Sequence, residues 1–103
     1  MKEDLIKIIN YYGEDKQLKY IHSEYFELDE AIINYWNDET YYEEIEKSDK
    51  KHIAEEIADV MVMLKQFQYF YEITDKNIED IMKQKISRQL ERIENEIKNI
   101  GLN

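Results

Sequence analysis

The chain has 103 residues, with 24 Asp and Glu against 14 Lys and Arg, a formal net charge of -10, and neither Cys nor Pro. That length suits one compact domain, residues 1–103, burying about 60–70% of the surface its unfolded chain would expose. The acidic balance excludes direct binding to nucleic acid or an anionic membrane surface, the missing Cys excludes a disulfide framework or thiolate metal site, and no apolar run approaches the roughly 18 residues of a membrane span. The charged start Met1-Lys2-Glu3-Asp4 does not resemble a signal peptide, so the expected protein is soluble and cytoplasmic.

With two Gly, no Pro and abundant Glu, Lys, Ile and Leu, the chain reads as all-α, a bundle of about four helices. The first helix spans residues 2 to 12, where Leu5, Ile8, Ile9 and Tyr12 recur at helical spacing before Gly13 stops it. A longer helix from about Lys16 to Trp36 places Gln17, Tyr20, Glu24, Leu28, Ala31 and Tyr35 within one face, with Glu27 at its edge. Residues 37 to 49 lack clear periodicity and read as an acidic connection, with Ser48 or Asp49 available to cap the next helix. The third helix, about Lys50 to Tyr71, carries a core stripe of Ile53, Ile57, Val60, Leu64 and Tyr71, and an adjoining face of His52, Glu56, Asp59 and Met63. Asp75 is the expected cap of the last helix, about Lys76 to Asn99, in which Ile78, Met82, Ile86, Ile93, Ile97 and Ile100 share one side before Gly101.

Two acidic pairs stand out on separate long helices, Glu24 with Glu27 and Glu56 with Asp59. Each pair has i,i+3 spacing and projects from one side of its helix. A solvated acidic face lies opposite the apolar stripe, whereas Glu24 falls within it. If the two helices face each other, four carboxylates converge; at an effective dielectric of about 20, each like-charged pair roughly 5 Å apart repels by about 3 kcal/mol. A cation relieves that repulsion, and ligands that are all oxygen favour a hard divalent ion, Mg2+ with Mn2+ as a substitute. The alternative is a set of solvated acids in weak pairs with lysines, each worth at most about 0.5 kcal/mol.

The charge is also uneven: residues 14–59 hold 15 acids against 5 lysines, whereas residues 76–98 hold 5 acids against 6 cations. Within the latter segment Lys85, Arg88 and Arg92 fall at i, i+3 and i+7, a spacing that suits a clamp on polyphosphate oxygens or, alternatively, pairing with Glu91, Glu94 or Glu96. Tyr20, Tyr35 and Trp36 offer faces for a nucleobase, although nine Tyr in a small helical chain point first to core and subunit interface.

In order along the chain, Gln17, Ser23-Glu24-x-x-Glu27-Leu-x-x-Ala31-Ile32, Glu55-Glu56-x-x-Asp59-Val60 and Lys85-x-x-x-Gln89-x-x-Arg92 resemble the signature of the MazG-like all-α nucleoside triphosphate pyrophosphohydrolases. The resemblance covers about residues 10 to 93. It implies a helical dimer or tetramer that cleaves a nucleoside or deoxynucleoside triphosphate to the monophosphate and pyrophosphate with magnesium. Glu24, Glu27, Glu56 and Asp59 take the metal-ligand positions, Lys85 and Arg92 the phosphate contacts, and Gln17 and Arg88 join them as substrate-binding residues. Ser23 replaces the first acid of the usual Glu doublet, and Gln89 replaces the usual Asn. Water then attacks the α-phosphorus, and Glu24 is the expected proton acceptor.

The alternative from another class is a catalytically inactive bundle that holds a nucleotide or a partner protein, or one that only oligomerises. A carboxylate-bridged iron site is disfavoured, because neither His22 nor His52 lies three residues after a Glu.

Overall fold

The computed structural model of the chain describes residues 1–37 and 49–101. They form α1 (Lys2–Tyr12), α2 (Glu14–Trp36), α3 (Lys50–Phe70) and α4 (Asp75–Gly101), with no strand among the described residues. The all-α expectation therefore holds, with each helix starting or ending within two residues of its expected bound. Most of the acidic connection expected over residues 37 to 49, including Ser48, lies outside the described residues. The chain divides into two compact units, Met1–Tyr71 and Glu72–Asn103.

In the first unit α1, α2 and α3 pack on one another. Gly13 is the whole joint between α1 and α2. It ends α1 through its N–H, which donates to Ile9 O at 2.8 Å, and its own carbonyl accepts the first bond of α2 from Gln17 N at 3.1 Å. Its φ of 90° and ψ of 153° form a conformation essentially reserved for glycine. At the start of α3, Asp49 Oδ1 accepts from His52 N at 2.7 Å, a side-chain cap of the kind its sequence position suggests.

The core is small: Leu5 and Ile9 from α1, Ile21 and Ala31 from α2, and Val60, Met63 and Tyr69 from α3. Lys2 and Lys65 place their ammonium groups 5.6 and 5.4 Å from the Tyr69 ring, so this buried aromatic is flanked by cations. On α1 the buried line is narrower than expected, since Ile8 and Tyr12 lie at the surface. Tyr20 and Tyr35 of α2 are likewise exposed.

The expected core stripe of α3 needs correction. Of Ile53, Ile57, Val60, Leu64 and Tyr71, only Val60 is buried; Ile57, Leu64 and Tyr71 are exposed. The line that turns inward is Val60, Met63, Gln66 and Tyr69. Apolar residues occupy more than one side of α3, so hydrophobic periodicity by itself leaves its rotation open.

In the second unit, the cap of α4 lies one residue earlier than Asp75: Thr74 Oγ1 accepts from Asn77 N at 3.1 Å. Exposed i,i+4 pairs, Lys76 with Asp80 at 3.6 Å and Lys83 with Glu79 at 3.2 Å, contribute a few tenths of a kcal/mol each by about the usual helix-pair value. The apolar side expected on α4 is present, but Met82, Ile86, Ile93, Ile97 and Ile100 are all exposed and only Ile78 is half-buried. No helix among the described residues is long and apolar enough to cross a membrane.

Candidate metal centre

The two acidic pairs meet. Glu24 and Glu27 of α2 and Glu56 and Asp59 of α3 each place one carboxylate oxygen so that all four atoms lie within 4.8 Å of one another. The convergence follows from the helix pairing. Gln17 Nε2 donates to Gln66 Oε1 at 2.7 Å across the α2–α3 seam, and Tyr71 Oη donates to Glu14 Oε2 at 2.5 Å near one end of it, so the helices run antiparallel. From the glutamine pair, seven residues forward on α2 reach Glu24 and seven back on α3 reach Asp59; three more reach Glu27 and Glu56. Ala31, one further turn along α2, is buried.

Burial divides the four by depth. Glu24 and Glu56 are half-buried, the Glu56 side chain only 12% exposed, while Glu27 and Asp59 are exposed at the rim. Glu24 Oε2 and Glu56 Oε2 are both shut off from solvent without a hydrogen-bond partner. Burial, then the Glu27 and Asp59 charges, hold the Glu24 carboxyl above the ordinary carboxylate range. The same order of causes raises Glu56, which also meets the Glu27 carboxyl, and His52 offsets this in part. Two buried anionic oxygens without donors are costly for a protein alone. They are the natural complement of a hard cation, and a set of carboxylate oxygens fits Mg2+ by donor chemistry.

The remaining residues singled out in the sequence occupy different surroundings. Gln17 is only 3% exposed; its amide nitrogen donates to Gln66, and its Oε1 is buried without a hydrogen-bond partner, as Glu24 Oε2 and Glu56 Oε2 are. Lys85, Arg88 and Arg92 belong to α4 in the second unit, where all three are exposed. Among the described residues none of them forms an ion pair with Glu91, Glu94 or Glu96. Ser23 and Gln89 are exposed. Sequence reasoning passed over Gln66, although a signal existed: it follows Asp59 by seven residues, as Glu24 follows Gln17 by seven, so each glutamine shares a helix face with an acid.

No protein-family model, curated protein or solved structure matches this chain.

Proposed function

We propose that the protein is a magnesium-dependent hydrolase that cleaves a nucleoside or deoxynucleoside triphosphate between the α and β phosphates. The observation that carries this reading is the convergence of four carboxylates from two facing helices, with an unpartnered buried oxygen on Glu24 and on Glu56. Glu24, Glu27, Glu56 and Asp59 would hold the ion, which supplies Lewis-acid neutralisation of phosphate charge.

The reaction is a displacement at phosphorus. The water oxygen attacks the α-phosphorus, the bond from that phosphorus to the bridging oxygen breaks, and pyrophosphate departs. Glu24, one of the two deeper carboxylates, accepts the proton of the water. Glu27, at the exposed rim, brings one carboxylate oxygen within 4.8 Å of the ligand oxygens of Glu24 and Glu56 and would complete the ligand set with Asp59. The assignment of Lys85, Arg88 and Arg92 to the phosphate oxygens rests on the sequence resemblance and on the donor chemistry of ammonium and guanidinium groups. Assembly into a homo-oligomer is part of the same reading, supported by the exposed apolar side of α4, where Ile86 is 53% and Ile97 63% exposed.

The test is pyrophosphate release from a panel of canonical and modified NTPs and dNTPs, with magnesium and with EDTA, following the nucleotide products by chromatography. Monophosphate and pyrophosphate appearing only with magnesium is the expected result. A folded protein that yields neither from any substrate would overturn the enzymatic reading and leave a bundle that binds without chemistry.

A further inference from the structure

We propose that the buried Gln17–Gln66 pair is the register lock of the α2–α3 seam, and that both glutamines are positioning residues for the four carboxylates. The functional part of this inference rests on the metal-centre reading; the register part does not.

The pair is unusual for where it sits. Gln17 is 3% and Gln66 1% exposed, and they join across the seam at 2.7 Å, while Gln66 Nε2 also reaches Met63 Sδ at 3.6 Å on its own helix. These two amides lie one heptad from Glu24 and Asp59 along the same antiparallel seam. Any axial slip of one helix on the other is therefore transmitted to the carboxylates undiminished. A slip of one turn is about 5.4 Å, larger than the 4.8 Å within which the four ligand atoms gather.

Two physical tendencies favour such a slip. Before a cation arrives, the four carboxylates repel one another in the register that brings them together, and sliding apart relieves that repulsion. Aliphatic contacts select a register less sharply than a hydrogen bond does, because apolar attraction is non-directional. The amide pair is directional. One turn away, Gln17 would lie across from Val62 and Met63, or from Tyr69 and Phe70, and Gln66 from Gly13 and Glu14, or from Tyr20 and Ile21. In most of these placements a buried amide loses its partner. A single buried polar contact that specifies register at the expense of stability has precedent in coiled coils. The Tyr71–Glu14 bond also spans the seam, but both residues are exposed and water substitutes readily for either.

The experiment uses the full chain with Gln17→Met and Gln66→Met together, which keeps side-chain length and removes both amides; the pair Gln17→Leu with Gln66→Leu is the second variant. Replacing both partners of a hydrogen bond by apolar groups costs little stability, so thermal unfolding should stay near wild type. Mn2+ affinity, read by titration, and a nitroxide distance distribution between Lys19→Cys and Lys51→Cys, both exposed and in a chain without native Cys, are the readouts. The expected result is a folded variant with Mn2+ affinity at least about tenfold weaker and a second distance population displaced by about one turn, 5.4 Å. A variant with Mn2+ affinity within about twofold of wild type and a single unshifted distance would overturn the lock. So would failure of both double variants to fold, which would make the amides a requirement of stability. If wild type itself binds no Mn2+, the metal reading fails, and the distance measurement still decides whether the amides set the register.

Discussion

His52 Nε2 stands 3.9 Å from Glu56 Oε1, one turn earlier on α3, yet the Glu56 carboxyl is still held above the ordinary carboxylate range. Burial and the Glu27 and Asp59 charges outweigh the histidine. The balance of charge at the seam is therefore set by its acids, and that has a measurable consequence for stability.

Glu24 and Glu56 both have raised folded-state pKa values, so the folded chain holds these protons more tightly than the unfolded one. Their contribution is complete below the ordinary glutamate value of about 4.3 and is lost as pH rises through the folded values. In EDTA, Tm should fall between pH 5 and pH 7.5. Glu24→Gln combined with Glu56→Gln should flatten that slope and raise stability at pH 7.5. A wild-type slope unchanged in the double variant would show that the repulsion lies elsewhere.

Divalent cation should reverse the same effect. At about 100 times its Kd, Mg2+ or Mn2+ should stabilise the wild-type chain by about 2.7 kcal/mol, measured as a Tm increase that is lost in the Glu24 and Glu56 variants. An equal increase in wild type and variants would mean that the ion binds somewhere else.

Glu56→Gln should also abolish turnover while leaving the helical circular dichroism spectrum unchanged, because an amide retains the size of the side chain but not its charge. Normal activity in that variant would remove Glu56 from the site.

Two backbone positions make opposite predictions. Gly13→Ala should destabilise the first unit by about 1–3 kcal/mol, since open space around its Cβ does not relieve the strain of φ 90° and ψ 153°. Glu72, directly after the Tyr71 that closes α3, has φ 58°, the left-handed conformation that glycine adopts most easily at this place. Glu72→Gly should therefore stabilise the chain by about 0.5–1 kcal/mol. Chemical denaturation of the two variants checks both signs.

The positions of the helices were legible because their stops are local: Gly13 between α1 and α2, and Asp49 as the cap of α3. The convergence of the four acids was legible as well, because i,i+3 spacing places each pair on one side of its helix regardless of what the helix packs against. The rotation of α3 was not. With Ile57, Met61, Val62 and Leu64 all apolar and all exposed, the pattern of hydrophobicity does not distinguish the inward face from its neighbours. The inward line of Val60, Met63, Gln66 and Tyr69 includes a polar residue, Gln66, whose burial depends on a partner in a distant segment, Gln17. The cap at Thr74 was missed by one residue because Thr and Asp are both good N-cap residues and stand side by side.

Trp36 is the single tryptophan of the chain, and it stands 75% exposed at the last residue of α2, nine residues beyond Glu27. Nine helical residues span about 13.5 Å, so the indole is remote from the carboxylates while riding on the same rigid rod. Its emission should be that of an indole in water, indifferent to the filling of the acidic centre but sensitive to an aromatic base or a protein surface laid over it. The molecule thus carries an intrinsic optical reporter that separates occupancy by an ion from coverage by anything larger.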